Sequence, residues 1–195
     1  MLQDYISPTP IFNNCQFARI FYVSRTTANR LFALLAQDDP FFQERIQLGT
    51  GQRSICPNVK FLCELKCIAY GMLPSAFLDY FQMGETTARE CIKRVAFGIS
   101  NNAYLRSKYL RSMTRSDARK ASALHLATHG VAGMIGSMDC MHVGWKNCPV
   151  AWQGQYEGKE GKPTLVLEAF SDTNLFIWHQ CFGWAGTLND VNIWD

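Results

Sequence analysis

Gly136-Ser137-Met138-Asp139-Cys140-Met141-His142-Val143-Gly144-Trp145-Lys146-Asn147-Cys148-Pro149-Val150-Ala151-Trp152 is the stretch on which the reading of this chain turns. A short apolar run carries one carboxylate, and an aromatic, basic segment follows it. Upstream, apolar residues recur at helical spacing. Beyond Gly130-Val131-Ala132-Gly133 the pattern changes to short β-rich runs, which predicts strands over Met134–His142, Thr164–Phe170 and Leu175–Phe182. Gly154, Gly158, Gly161 and Pro163 mark the loops between the first two. The connection 171–174 is hairpin length, so the second and third strands are expected to be antiparallel neighbours. A second carboxylate follows the last strand, in Gly183-Trp184-Ala185-Gly186-Thr187-Leu188-Asn189-Asp190. Two acids separated by strands suit one divalent ion, a requirement of hydrolytic phosphoryl chemistry.

Outward from that stretch, residues 1–22 read as an irregular lead-in with two prolines and paired asparagines, and 23–130 as a helical region. Ser24 caps a helix whose stripe is Leu31, Leu34 and Leu35, ended by Asp38-Asp39-Pro40. Leu48–Pro57 reads as a loop. Val59, Leu62, Cys63, Ile68 and Ala69 predict a helix from Asn58 that stops at Gly71. Pro74 opens a shorter helix through Met83, Gly84-Glu85 breaks it, and Thr86–Phe97 forms another. That last helix is expected to turn Cys91, Ile92 and Val95 inward and Arg89, Lys93 and Arg94 outward. A short helix, a Gly-containing turn and a second helix with a basic face has the layout of a helix-turn-helix, here around 75–97. Any pair of antiparallel helices reads the same way. Helix is predicted to continue over Asn101–Gly130.

The chain has 195 residues, 48% of them hydrophobic, and a net charge of +3. No run approaches eighteen apolar residues, and no membrane segment is expected. Eight cysteines form no C-x-x-C pair, so they read as buried reduced thiols. His125 and His129 have the helical spacing of zinc ligands but no nearby cysteine pair. The charge is split. Residues 1–133 carry sixteen Lys/Arg against nine Asp/Glu, and residues 134–195 three against seven. The split fits a front half that meets a polyanion and a back half that gathers acids around a cation; solvated basic helix faces fit it too.

The strings Gly136–His142, Trp145–Tyr156, Gly161–Ala169, Ile177–His179 and Gly186–Asn192 resemble the plant-type branch of the PIF/Harbinger transposases. So does Tyr80-Phe81-Gln82-Met83-Gly84-Glu85-Thr86-Thr87-Ala88-Arg89-Glu90-Cys91, which in that family belongs to a helix-turn-helix ahead of the nuclease. The resemblance implies an α+β chain: a helical region with a helix-turn-helix, then, over 131–195, the first strands of an incomplete RNase H-like α/β domain.

It further implies a nuclear DDE-type endonuclease acting on DNA, with Asp139 and Asp190 as the first two catalytic, metal-holding acids for Mg²⁺ (Mn²⁺ as a substitute). Arg89, Lys93 and Arg94 become DNA-contacting residues, and a Myb-like protein a possible partner. The family's third acid, a Glu, lies downstream of the second and has no counterpart here. Glu168 falls between the two Asp residues and reads as structural, Asp172 as a turn residue, and Asp195 as too near Asp190. This form is accordingly expected to be inactive. The alternative is a non-catalytic, domesticated relative that binds DNA or protein. His142, three residues after Asp139 on a strand, is expected on the opposite face in a packing or hydrogen-bonded role.

Overall fold

A computed structural model describes residues 2–46, 51, 53–159 and 161–194. The expected loop Leu48–Pro57 lies partly outside these residues, and Asp195 wholly so. Helices fill the first part: α1 (Leu2–Tyr5), α2 (Asn14–Phe21), α3 (Arg25–Asp38), α4 (Pro57–Tyr70), α5 (Leu78–Phe81), α6 (Glu85–Asn101), α7 (Ala103–Tyr109) and α8 (Arg115–His129). Short 3₁₀ turns, Pro40–Phe42 and Pro74–Phe77, precede α4 and α5. No single helix among the described residues is long and apolar enough to cross a membrane. The chain divides into two compact units, Met1–Arg106 and Ser107–Asp195. The division falls inside α7, whereas the change from helix to strand falls after Gly130.

In the first unit the helix ends follow their local chemistry. Ser24 accepts a hydrogen bond from the Thr27 amide and starts α3. Such a cap is worth about 1 kcal/mol. Gly71 stops α4 in the left-handed conformation at φ 60°. The lead-in is less irregular than its sequence suggests. Asn13 and Gln16 close a capping box, so the paired asparagines begin α2 where they were expected to mark a loop. Phe17 and Phe21, one turn apart, then pack on Tyr5, whose hydroxyl lies 2.6 Å from that of Tyr80.

The core of this unit gathers Phe17, Leu35, Phe42, Cys63, Cys91 and Val95, all but sealed from solvent. Each large apolar side chain so buried contributes about 1.5–3 kcal/mol. The α3–α6 contact is close enough that a Cβ on Gly98 would collide with the Leu35 side chain. Cys63 and Cys91 sit where free thiols behave as small hydrophobes, and burial pushes both up to about 12.

In the second unit, the expected continuous helix is broken at 110–114, where Thr114 and Asp117 form a fresh capping box for α8. The sheet follows: β1 (Ser137–Gly144), α9 (Val150–Tyr156), β2 (Thr164–Ser171), β3 (Ile177–Ala185) and α10 (Asp190–Trp194). Its order is β1-β2-β3, every pair antiparallel. The chain is thus α+β, as read. Segment 150–156, expected as loop, is helical. Pro149 fixes φ at its N-cap, and Trp152 and Tyr156, one turn apart, both pack on Trp145. β3 bulges twice against β2, near Gly183 and near Trp178. The hairpin loop is Asp172–Phe176, one residue longer than expected, because Asp172 organises it. Its Oδ1 accepts from the Asn174 and Phe176 amides at 2.8 and 3.1 Å.

Candidate functional site

Asp139 lies mid-strand on β1, paired with Ala169 of β2, which pairs in turn with Gln180 of β3. Directly paired residues share a sheet face, so Asp139 stands with Ala169, Gln180, Met141, Leu167 and Phe182. Asp139 is exposed, and this face stays open around it, with Met141 at 55% and Phe182 at 58% exposure.

The opposite face holds His142, Val166, Glu168 and His179. His142 Nδ1 lies 2.9 Å from the Thr164 hydroxyl, on the side of the sheet away from Asp139, as its odd spacing requires. Glu168 is buried on the central strand. Its carboxylate accepts from Trp184 Nε1 at 3.3 Å and lies 3.4 Å from His179 Nε2. Those partners belong to the sheet itself, which suits the structural reading of Glu168. The odd–even alternation of β2 separates it from Asp139.

Asp190 opens α10 and is exposed. The chain leaves the sheet at Ala185, in the row of Val143 and Leu165, four residues along β1 from Asp139. At strand geometry that row lies roughly 14 Å along and β3 roughly 10 Å across from Asp139. A turn closed by the Leu188 amide on the Ala185 carbonyl (3.0 Å) then carries the chain to Asp190. The strands alone therefore keep Asp190 away from Asp139, and any approach of the two carboxylates would have to be made by the 186–190 turn. Gly186 is held tightly in that turn, where a Cβ would run into the Thr164 side chain and the Tyr156 carbonyl.

Among the described residues no three His, Cys, Asp or Glu side chains are gathered closely enough to hold a metal ion. Two carboxylates, completed by water and substrate phosphate, meet the ordinary demand of one Mg²⁺. They are too few to fix a close pair of ions.

The basic candidates lie on α6 in the other unit. Cys91 and Val95 are fully buried and Ile92 half-buried, which places the expected inward stripe. Arg89 and Lys93 are exposed, Arg89 carrying an i,i+4 bond to Glu85 at 2.6 Å. Arg94 departs from the expected outward face. It makes two bonds to Asp39 at 2.9 and 3.0 Å and one to Glu90 at 2.7 Å, and stacks 4.8 Å above the Phe41 ring. Hydrogen bonds to Asp39 and Glu90 raise its pKa. The reason is tertiary. The Asp38-Asp39-Pro40 segment that ends α3 folds against α6, a contact no helical period can announce. A groove of about 560 Å³ beside Lys93 and Arg94 is lined by Asp38 and Asp39 as well, so this face carries both signs.

Residues 107–195 match the family model described as "Plant transposon protein". No curated protein and no solved structure matches the chain. The match spans the sheet-bearing unit and supports a transposon-derived protein.

Proposed function

We propose that this chain comprises the DNA-associating front and the first sheet of a DDE-type nuclease derived from a transposase, acting on DNA phosphodiesters in the nucleus. The observation that carries this reading is Asp139, exposed in the middle of the first strand of a consecutive antiparallel sheet, inside the segment that matches plant transposon proteins. The RNase H-like frame, the helix-turn-helix at 75–97 and the Harbinger kinship rest on the resemblance of the motif strings.

In this reading Asp139 and Asp190 supply hard oxygen ligands to Mg²⁺ or Mn²⁺. Such an ion supplies charge neutralisation at phosphorus and a more acidic bound water. The chain's own contribution is to fix the position of Asp139 by pairing β1 with β2 before and after it, and to keep the carboxylate open to a phosphate. Arg89 and Lys93 supply phosphate contacts, and a Myb-like protein is the proposed source of sequence recognition.

Mn²⁺ titration followed by water-proton relaxation tests the acids without requiring turnover. We expect weak, millimolar-range binding to the 195-residue chain, reduced in Asp139→Ala and in Asp190→Ala. Mn²⁺ binding that neither substitution alters would remove both residues from the site. In a nicking assay on transposon-end DNA the 195-residue polypeptide is expected to be inert, because two acids do not fix a second ion. Nicking that disappears in Asp139→Ala would instead show that a third ligand is present. DNA binding with no cation dependence at Asp139 would assign the chain to the non-catalytic class.

A further inference from the structure

A second concave feature lies wholly within residues 107–195, at the tip of the β2–β3 hairpin. Phe176 and Trp178 stand side by side, ring centres 4.3 Å apart. Trp178 is held by its Nε1–H, which donates to Asp172 Oδ2 at 3.0 Å, so one carboxylate fixes both the turn and the indole. The Arg111 guanidinium lies 4.8 Å above the Trp178 ring. It is locked there by bonds of 2.7 and 3.2 Å to the two Asp117 oxygens, and Asp117 is itself tied to Thr114 at the start of α8. Tyr109, the last residue of α7, faces Phe176 with centroids 6.4 Å apart and planes 23° from parallel. The cleft so formed has a volume of about 660 Å³ and is lined by Tyr109, Arg111, Asn174, Phe176, Trp178 and Gln180 among others.

We propose that this cleft is a stacking site for an unpaired nucleobase of a DNA strand. Bases stack at about 3.4 Å, so one base between two rings needs about 6.8 Å between them; the Tyr109 and Phe176 centroids, 6.4 Å apart, come within a few tenths of that, and the hairpin tip would open slightly to admit one. The volume lies within the range of built ligand sites. Asn174 and Gln180 carry both donors and acceptors, which the edge of a base requires and a plain apolar groove lacks. Arg111, its charge shared with Asp117, serves as a flat wall over Trp178. The Lys108 ammonium, 5.2 Å from the Tyr109 ring, brings positive charge to the mouth for a phosphate.

A duplex buries its base faces, so the cleft selects a base that is out of the stack. Simple hairpin packing does not account for the openness of the site: Tyr109 is 46%, Ile177 51% and Leu175 83% exposed. The identification of the strand as DNA rests on the function proposed above; the stacking geometry does not.

Fluorescence anisotropy of the 195-residue chain with labelled twelve-residue oligothymidylate, and separately with a twelve-base-pair duplex, tests the cleft. Tyr109→Ala is expected to weaken oligothymidylate binding about tenfold, within the usual range for one lost stacking contact, and Tyr109→Phe to restore it. Leu175→Asp, at an exposed tip residue whose φ of 61° suits Asp, is expected to weaken it as well by placing a carboxylate at the mouth. Duplex affinity should be the same in all three variants. Unchanged oligothymidylate binding in Tyr109→Ala and Leu175→Asp overturns the proposal, and so does an equal loss on both DNAs, which would mark a general electrostatic surface. Oligothymidylate binding that obeys these substitutions while the duplex fails to bind would leave the cleft standing and count against the helix-turn-helix reading alone.

Discussion

Two buried carboxylates in this chain have opposite surroundings. Glu168 is met by an indole N–H and an imidazole on its own sheet face. Glu64, on α4, is 3% exposed, and its Oε2 finds no hydrogen-bond partner among the described residues. Lys60, one turn before it, donates instead to the Phe41 carbonyl at 3.0 Å, and burial lowers its pKa. Burial raises the Glu64 carboxyl from 4.5 to about 7. The sign follows from linkage. Above pH 4.5 the unfolded chain releases this proton while the folded chain keeps it, so stability declines as pH rises and levels off once the folded carboxyl ionises near 7. The shift corresponds to roughly 3 kcal/mol at most. Urea midpoints measured from pH 4.5 to 8 should therefore fall in the parent and fall less in Glu64→Gln, with the two curves diverging most between pH 5 and 7. Parallel curves would mean that Glu64 is ionised in the folded state well below pH 7.

At the scale of the element, α6 divides its three cations between two tasks. Arg94 joins the end of α3 to α6 through Asp39, whose pKa is lowered despite the opposing effect of its burial, by the Phe41 amide and Arg94. Arg94→Ala should cost roughly 1 kcal/mol, since a forked, partly exposed pair with a ring beneath it exceeds an ordinary surface bridge only modestly. Lys93→Ala and Arg89→Ala should leave the unfolding free energy, read from the urea midpoint, within about 0.5 kcal/mol of the parent. If α6 meets DNA, the latter pair should lower duplex affinity and reduce the salt slope by roughly one unit per lost phosphate contact. A midpoint that moves equally in all three variants would refute the division. The same helix shows what the sequence made legible. Its inward stripe follows from spacing and the Gly71 stop before it from glycine's freedom of φ, both local properties. Asp139 on a strand and the β2–β3 hairpin were legible for the same reason. The fate of Arg94 and the Tyr109–Trp178 cleft depend on residues tens of positions apart, α9 was hidden by a glycine-bearing segment that reads as loop, and Asn13 was obscured because Asn serves turns and caps alike.

At the scale of the whole molecule the two units are unequal in what they bury. Among the described residues, Phe17, Leu35, Phe42, Cys63, Cys91 and Val95, the large side chains most completely removed from solvent, lie in residues 1–106, whereas the sheet unit contributes only Val166 to that class. Both faces of its sheet keep large side chains in solvent, Met141 and Phe182 on one and Met138 and Trp184 on the other. Ordering a residue costs about 1–2 kcal/mol of backbone entropy, offset chiefly by buried apolar area. The sheet therefore holds a smaller reserve against opening, although its β1–β2 register runs without a shift from Ser137 to Gly144. Native-state hydrogen exchange on the intact chain should resolve this. The amides of Cys91 and Val95 in α6 are expected to exchange only through global unfolding. Those of Val166 and Glu168 should exchange through a separate opening, lower in free energy by at least about 2 kcal/mol and less sensitive to dilute denaturant than global unfolding is. One common exchange free energy for α6 and β2 would show that the chain unfolds as a single cooperative body and would overturn the separate opening of the sheet.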